Sequence, residues 1–404
     1  MSKFNPQEQN TRLQTPGGSE FRWLPTGAEA LEAMLTAISE ARQSIRFEMY
    51  IFTHGALGNR FRQALVEARR RGVRVQVLVD AFGSLGLPSN YWAPLIEIGG
   101  GFRWFNGLRA ASRYGRRNHR KLLVVDSKLA IVGGFNVSEE YYGDGVSKGW
   151  RDLGLEIHGP LAAALEASFA ALFAPPPPQP LRLPNFVATP DTTVVGANWT
   201  LLLSKPGWGG HRAFKRSLMK DLARARAVRI VCAYFIPTWR LRRALMKVAR
   251  RGGRVQLILA GHSDLEVSRL ASHSLYDKFL QAGVEIYEYQ PQILHAKLFL
   301  IDHAVYAGSA NLDTRSLNIN HELTVRVVDP KTAAQAGAIF EQDLAHCRRI
   351  DPQTWRASRS FFIKLLEHAA YFLMVRIDPH ITSLSWRRRA RKALEKRARR
   401  DAKK

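Results

Sequence analysis

NHRKLLVVDSKLAIVGGFN, residues 118–136, and LHAKLFLIDHAVYAGSAN, residues 294–311, are two versions of one pattern. Each contains His-x-Lys, four further residues and an Asp: His119, Lys121 and Asp126 in the first, His295, Lys297 and Asp302 in the second. Each closes on a glycine-bearing turn and an asparagine, Gly133-Gly134-Phe135-Asn136 and Gly308-Ser309-Ala310-Asn311, with one residue fewer in the second spacer. In a chain of 404 residues with 12 histidines, chance rarely supplies even one such pattern. Two with the same tail mark an internal duplication.

The sequence around the motifs repeats as well. Ser44–Phe52 reads as a strand, Leu57–Arg71 as a helix and Gly72–Asp80 as a β-rich run; Ala227–Pro237, Leu241–Arg251 and Gly253–Gly261 repeat that order. Strands separated by single helices predict βαβ units and a mostly parallel sheet in each half. Five prolines within residues 175–180 interrupt any helix and divide the chain. The expected architecture is α/β: two tandem domains, 1–174 and 194–350, forming a pseudo-twofold dimer within one chain. A Pro-rich linker at 175–193 joins them, and a C-terminal segment at 351–404 follows.

Sixty Lys and Arg against 34 Asp and Glu leave a net charge of +26 on a chain of ordinary globular composition, 46% hydrophobic and 23% charged. Bulk disorder and a polytopic membrane protein are disfavoured, and an anionic partner, nucleic acid or an acidic membrane surface, is indicated. Two cysteines form no disulfide framework or metal spacing, so a reducing compartment is expected. The polar first residues carry no apolar secretory core. Phe361–Val375 is apolar but too short for a bilayer span.

Residues two apart on a strand share a face, so each copy sets an imidazole beside a cation. The following turn adds backbone N–H groups and an amide suited to phosphate oxygens, which makes Asn136 and Asn311 candidate phosphate ligands, with Ser309 a hydroxyl ligand on one side only. If the halves pack as a pseudo-dimer, one histidine can attack phosphorus while the other protonates the leaving alkoxide. The lysines would stabilise the equatorial oxygens. Tyr50 and Tyr234, in equivalent repeat segments, are either core packing or pocket lining.

The duplicated motif resembles that of the phospholipase D superfamily, and within it the bacterial cardiolipin synthases of the short form without N-terminal transmembrane helices. The likeness extends to Glu48–Phe52, Ala233–Thr238, Trp150–Asp152 and Asp313–Leu323. It implies His119 as nucleophile and His295 as general acid and base, no metal or organic cofactor, and a carboxylate about 25 to 35 residues after each histidine that orients that imidazole through its other nitrogen, for which Asp152 and Glu322 occupy the matching positions. Asp126 and Asp302, part of the catalytic motif, are expected to anchor it. The implied reaction makes cardiolipin from phosphatidylglycerol through a phosphohistidine, at the cytoplasmic face of a bacterial inner membrane. A hydrolase of phospholipid or nucleic acid is the alternative. A non-catalytic binding protein is disfavoured because both motifs are intact. Residues 361, 362, 365, 366, 369 and 372 recur at helical spacing, and 11 Lys and Arg against two acidic residues follow from Trp386 onward. An interfacial helix with a polybasic tail, peripheral on an anionic phospholipid membrane, is the expected attachment.

Overall fold

The computed structural model describes residues 12–14, 17–106, 117–174, 192–205 and 212–377. The first part of the chain supplies β1 (Arg12–Gln14), β2 (Glu20–Leu24), β3 (Ser44–Met49), β4 (Arg74–Asp80), β5 (Gly101–Phe105), β6 (Leu122–Val125), β7 (Leu129–Gly133) and β8 (Gly154–His158). The second supplies β9 (Thr192–Val195), β10 (Trp199–Ser204), β11 (Ala227–Cys232), β12 (Arg254–Ala260), β13 (Glu285–Tyr289), β14 (Lys297–Ile301), β15 (Ala304–Gly308), β16 (Glu322–Val328) and β17 (Cys347–Arg349). One sheet runs β2-β8-β7-β6-β3-β4-β5, and the other contains the same series as β10-β16-β15-β14-β11-β12-β13. The duplication in the sequence is therefore a duplication of topology.

The sheets are mixed and not mostly parallel. Among the described strands, only β3-β4-β5, β11-β12-β13 and the pair β1-β9 run parallel. The motif strands explain the difference. Three residues connect β6 to β7 and two connect β14 to β15, too few for a crossover, so these neighbours must be antiparallel. Asp126, Ser127 and Asp302 adopt φ of 52°, 56° and 49° in these turns, a left-handed conformation that Asp tolerates. The missing residue of the second spacer is the residue missing from this turn.

Each half keeps an apolar core on one face of its sheet, one built around Phe47, Phe61 and Val77, the other around Phe235, Leu257 and Phe299. A third core lies between the halves, drawing Leu122, Val132 and Leu155 from one sheet and Leu298, Val305 and Val325 from the other. Arg151 makes a buried two-pronged ion pair across this junction with Asp343, at 2.6 and 3.0 Å.

The ends of the chain do not respect a simple division into halves. β1 extends the sheet of the second half through β9. Most of the Pro-rich linker, residues 175–191, lies outside the described residues, as does the basic tail from residue 378. The helix Phe361–Phe372 packs on the helix Glu266–Gln281, so the start of the C-terminal segment is built onto the second half.

Candidate active site

The two motifs meet through the backbone. Asn118 forms a parallel bridge with His321, and Leu294 forms one with Arg151. The residue before each motif histidine thus pairs with the residue before the other half's carboxylate. As a result, Glu322 reaches His119, its Oε1 3.1 Å from Nδ1, and Asp152 reaches His295, its Oδ2 2.7 Å from Nδ1. The orienting carboxylates are exchanged between the halves, and neither half holds its own histidine. With Nδ1 donating to a carboxylate, Nε2 of each imidazole is left as the reactive nitrogen.

The surroundings are dry and unequal. Asp152, Glu322 and His295 are buried, and the His119 side chain is 12% exposed. Burial pushes the Asp152 carboxyl up to about 6 against the pull of Lys297. Burial also raises Glu322, but His119, Lys121 and the Ser309 hydroxyl outweigh it and hold that carboxyl below its ordinary range. Burial lowers both imidazoles, His295 well below the usual value with Lys297 adding to the effect. Lys121 and Lys297 are buried, and burial brings the Lys121 ammonium down to about 7. Lys121 donates to the His119 carbonyl at 2.6 Å, and Lys297 Nζ stands 3.2 Å from His295 Nε2. Two buried lysines beside two imidazoles, with the carboxylates of Asp152 and Glu322 behind them, make a donor set suited to one phosphodiester.

Other motif residues lie behind the centre. The Asp126 carboxylate accepts from the backbone N–H groups of Arg42, Gln43 and Ser44 at 3.0, 2.7 and 2.7 Å. Asp302 accepts from Arg226 and Ala227 at 3.0 and 2.8 Å. Both pin the motif hairpin to the loop before the neighbouring strand, away from the histidines. Asn136 accepts from the Ile51 N–H and donates to the Tyr141 hydroxyl, whereas the buried Asn311 carbonyl oxygen has no hydrogen-bond partner among the described residues. The Ser309 hydroxyl donates to Glu322 at 2.5 Å and accepts from the Leu323 N–H. At the matching position, a Cβ on Gly134 would stand 2.4 Å from Asp152 Oδ1. The Gly/Ser asymmetry therefore fits the shorter carboxylate on one side and braces the longer one on the other.

Several residues at the site have weak or no sequence signal. The Tyr141 hydroxyl, from the first half, lies 3.4 Å from Nε2 of His295. Trp150 and Tyr234 add rings 5.7 and 6.2 Å from the His295 ring, and Tyr50 packs edge-on against His119 at 5.0 Å. Tyr50 and Tyr234 thus each pack against a motif histidine. Tyr234 donates to Asp264 at 2.7 Å, which fixes its ring. Repetition pointed to Tyr50 and Tyr234, but Tyr141 sits in a short 3-10 turn, Glu139–Tyr141, where the second copy instead places a helix, Thr314–Asn318. Among the described residues no group of three or more His, Cys, Asp or Glu could hold a metal ion.

Two motif-bearing α/β halves sharing a site of two histidines and two lysines define a phospholipase D-type protein. A family model described as "Cardiolipin synthase, PLD-like domain" matches residues 34–172 and 218–344. Cardiolipin synthase A of Pseudomonas aeruginosa is 35% identical over 356 residues, covering 86% of this chain and 72% of that protein. Cardiolipin synthase B of Salmonella typhi is 31% identical over 320 residues, 77% of each chain. The chain belongs to the cardiolipin synthase family of phospholipase D-like enzymes. The fold is also that of the phosphatidylserine synthase of Haemophilus influenzae, with a TM-score of 0.67, 14% identity, and coverage of 90% of this chain and 95% of that one.

Proposed function

We propose that the protein is a phosphatidyltransferase that makes cardiolipin from two molecules of phosphatidylglycerol. The observation that carries this reading is the pair of imidazoles, each held at Nδ1 by a carboxylate from the opposite half, with two buried lysines beside them. Nε2 of His119 attacks the phosphorus of the first lipid. The P–O bond to the headgroup glycerol breaks as His295, which takes up a proton once the anionic phosphodiester offsets the burial and lysine charge that lower its imidazole, gives that oxygen the proton and leaves a phosphatidyl group on His119. A headgroup hydroxyl of the second lipid then loses its proton to His295 and attacks phosphorus. The P–N bond breaks, cardiolipin leaves and both histidines return to their starting states. Glu322, held ionised, raises the electron density of His119 and favours it as the nucleophile. Lys121 and Lys297 balance charge on the non-bridging oxygens. The purified protein incubated with phosphatidylglycerol vesicles should yield cardiolipin and glycerol in equal amounts by mass spectrometry. Phosphatidic acid as the sole lipid product would instead make it a hydrolase, and cleavage of DNA a nuclease.

We also propose that the enzyme works at a membrane surface that it does not cross. No described helix is long and apolar enough to span a bilayer. The helix Phe361–Phe372 turns its apolar side outward: Phe361 and Phe362 are 75% and 78% exposed, and Leu365, Leu366 and Phe372 more than half. Its inner side is held by Glu367, buried near His273 and Arg359, and by Ala370 against Ile236 and Ala271. Such a face suits the headgroup boundary of a bilayer. Serine at both Phe362 and Leu365 should weaken binding to anionic vesicles by at least about tenfold, from the apolar area withdrawn. The unfolding midpoint should not fall, because both side chains are exposed. Unchanged flotation with vesicles would count against this attachment.

A further inference from the structure

A cavity of about 1020 Å³ opens beside the helices Arg212–Arg224 and Trp239–Arg250, outside the pair of histidines. Lys215, Arg216, Lys220 and Arg240 line it, together with Met219 and Trp239, and among the described residues none that lines it is acidic. Met219 is 37% exposed and Trp239 61%, so apolar surface faces solvent among four cations. Lys215 donates to Asn318 at 3.0 Å, which sets the cavity against the helix Thr314–Asn318 that follows the second motif. Arg243 lies over the Trp239 ring, 5.3 Å from its centre, and holds that ring at the rim. Arg242 lies 5.5 Å from the centre of the Tyr371 ring, so the helix with the outward phenylalanines adjoins this one.

We propose that this cavity binds the headgroup of an anionic glycerophospholipid still seated in the bilayer, apart from the lipid undergoing reaction. Lys220 and Arg240 take the phosphate, and Met219 and Trp239 cover the glycerol backbone and the first methylenes. A free phosphate would use the cations and leave the apolar lining idle. A single-stranded nucleic acid would use cations and Trp239, but not the apolar helix face alongside. The choice of phosphatidylglycerol as probe rests on the proposed reaction; the anionic amphiphile as ligand rests on the cavity alone.

The test uses full-length protein carrying His119→Ala, so that lipid is not consumed, and compares it with the same protein also carrying Lys220→Glu, Trp239→Ala and Arg240→Glu. Calorimetric titration with dihexanoyl phosphatidylglycerol below its micellar concentration should show one binding event fewer in the second protein. Its affinity for vesicles containing phosphatidylglycerol should fall by at least about tenfold, with no change on pure phosphatidylcholine. Equal stoichiometry and equal vesicle affinity in the two proteins would overturn the proposal. So would glycerol 3-phosphate binding there as well as the lipid, which marks a free phosphate site, or the substitutions abolishing only oligothymidylate binding. The proposed reaction fails separately: wild-type protein would then make no cardiolipin, whatever the two titrations gave.

Discussion

Alanine at either His119 or His295 should lower turnover of phosphatidylglycerol by about 10⁴-fold or more, since residues that act as one unit lose nearly everything when one is removed. The two losses should differ in kind. Without His119 no covalent intermediate can form from any substrate. Without His295 the barrier lies in expelling an unprotonated alkoxide. A p-nitrophenyl phosphodiester, whose leaving group needs no proton, should therefore restore the first half-reaction to the His295→Ala protein as a burst of about one nitrophenolate per enzyme. The His119→Ala protein should give no burst. The reverse pattern would exchange the roles of the two histidines, and turnover at the parent rate in either protein would overturn the two-histidine mechanism.

The crossed carboxylates extend this logic. Asp152→Asn should lower kcat about 10²- to 10⁴-fold by releasing the wrong tautomer of His295, the histidine of the other half. Glu322→Gln should do the same to His119. The nitrophenyl substrate should thus rescue Asp152→Asn and fail to rescue Glu322→Gln. If each carboxylate served the histidine of its own motif, the rescue would be reversed. The sign of the pH dependence follows from the same pair. Burial puts the Asp152 carboxyl at about 6, so kcat should fall as pH drops through that value and the carboxylate takes up a proton. Glu322 is held low and adds no limb in that window. The limb near 6 should vanish in Asp152→Asn. Stability moves the opposite way. The native state binds this proton more tightly than the unfolded chain does, so above pH 6 the ionised Asp152 opposes folding. A thermal midpoint at pH 8 that does not fall in Asp152→Asn, despite lost activity, is the expected signature of a site strained for function.

The sequence made the motifs legible because duplication is a signal that needs no structure. The topology of each half, the anchoring turns at Asp126 and Asp302 and the clustering of His119, Lys121, His295 and Lys297 all lie within or between the repeated segments. Strand direction was misread because βαβ units dominate the pattern outside the motif, whereas the three- and two-residue turns that force antiparallel pairing lie inside it. The exchange of Asp152 and Glu322 depends on how the halves dock. Spacing along the chain pointed the other way, since Asp152 follows His119 by 33 residues and Glu322 follows His295 by 27, yet each carboxylate holds the histidine of the opposite half. Tyr141 was invisible because it has no counterpart in the second copy. The periodicity of residues 361–372 was plain, yet which side faced the protein was not. Buried Glu367 and Ala370 face inward, and the larger apolar side chains face out.

The bridges between Asn118 and His321 and between Arg151 and Leu294 also set a timetable. A ribosome delivers His119 long before Glu322, and domains fold as the chain emerges. The first half can assemble its sheet around its own core while its histidine still lacks the carboxylate that orients it. Asp152, ready early, waits for a histidine not yet made. On the proposed mechanism, phosphoryl transfer would wait until the strand Glu322–Val328 had left the exit tunnel and the second sheet had closed on the first. On that mechanism, a chain truncated before residue 322 should show no turnover of phosphatidylglycerol vesicles, a result an assay of the truncated protein would check.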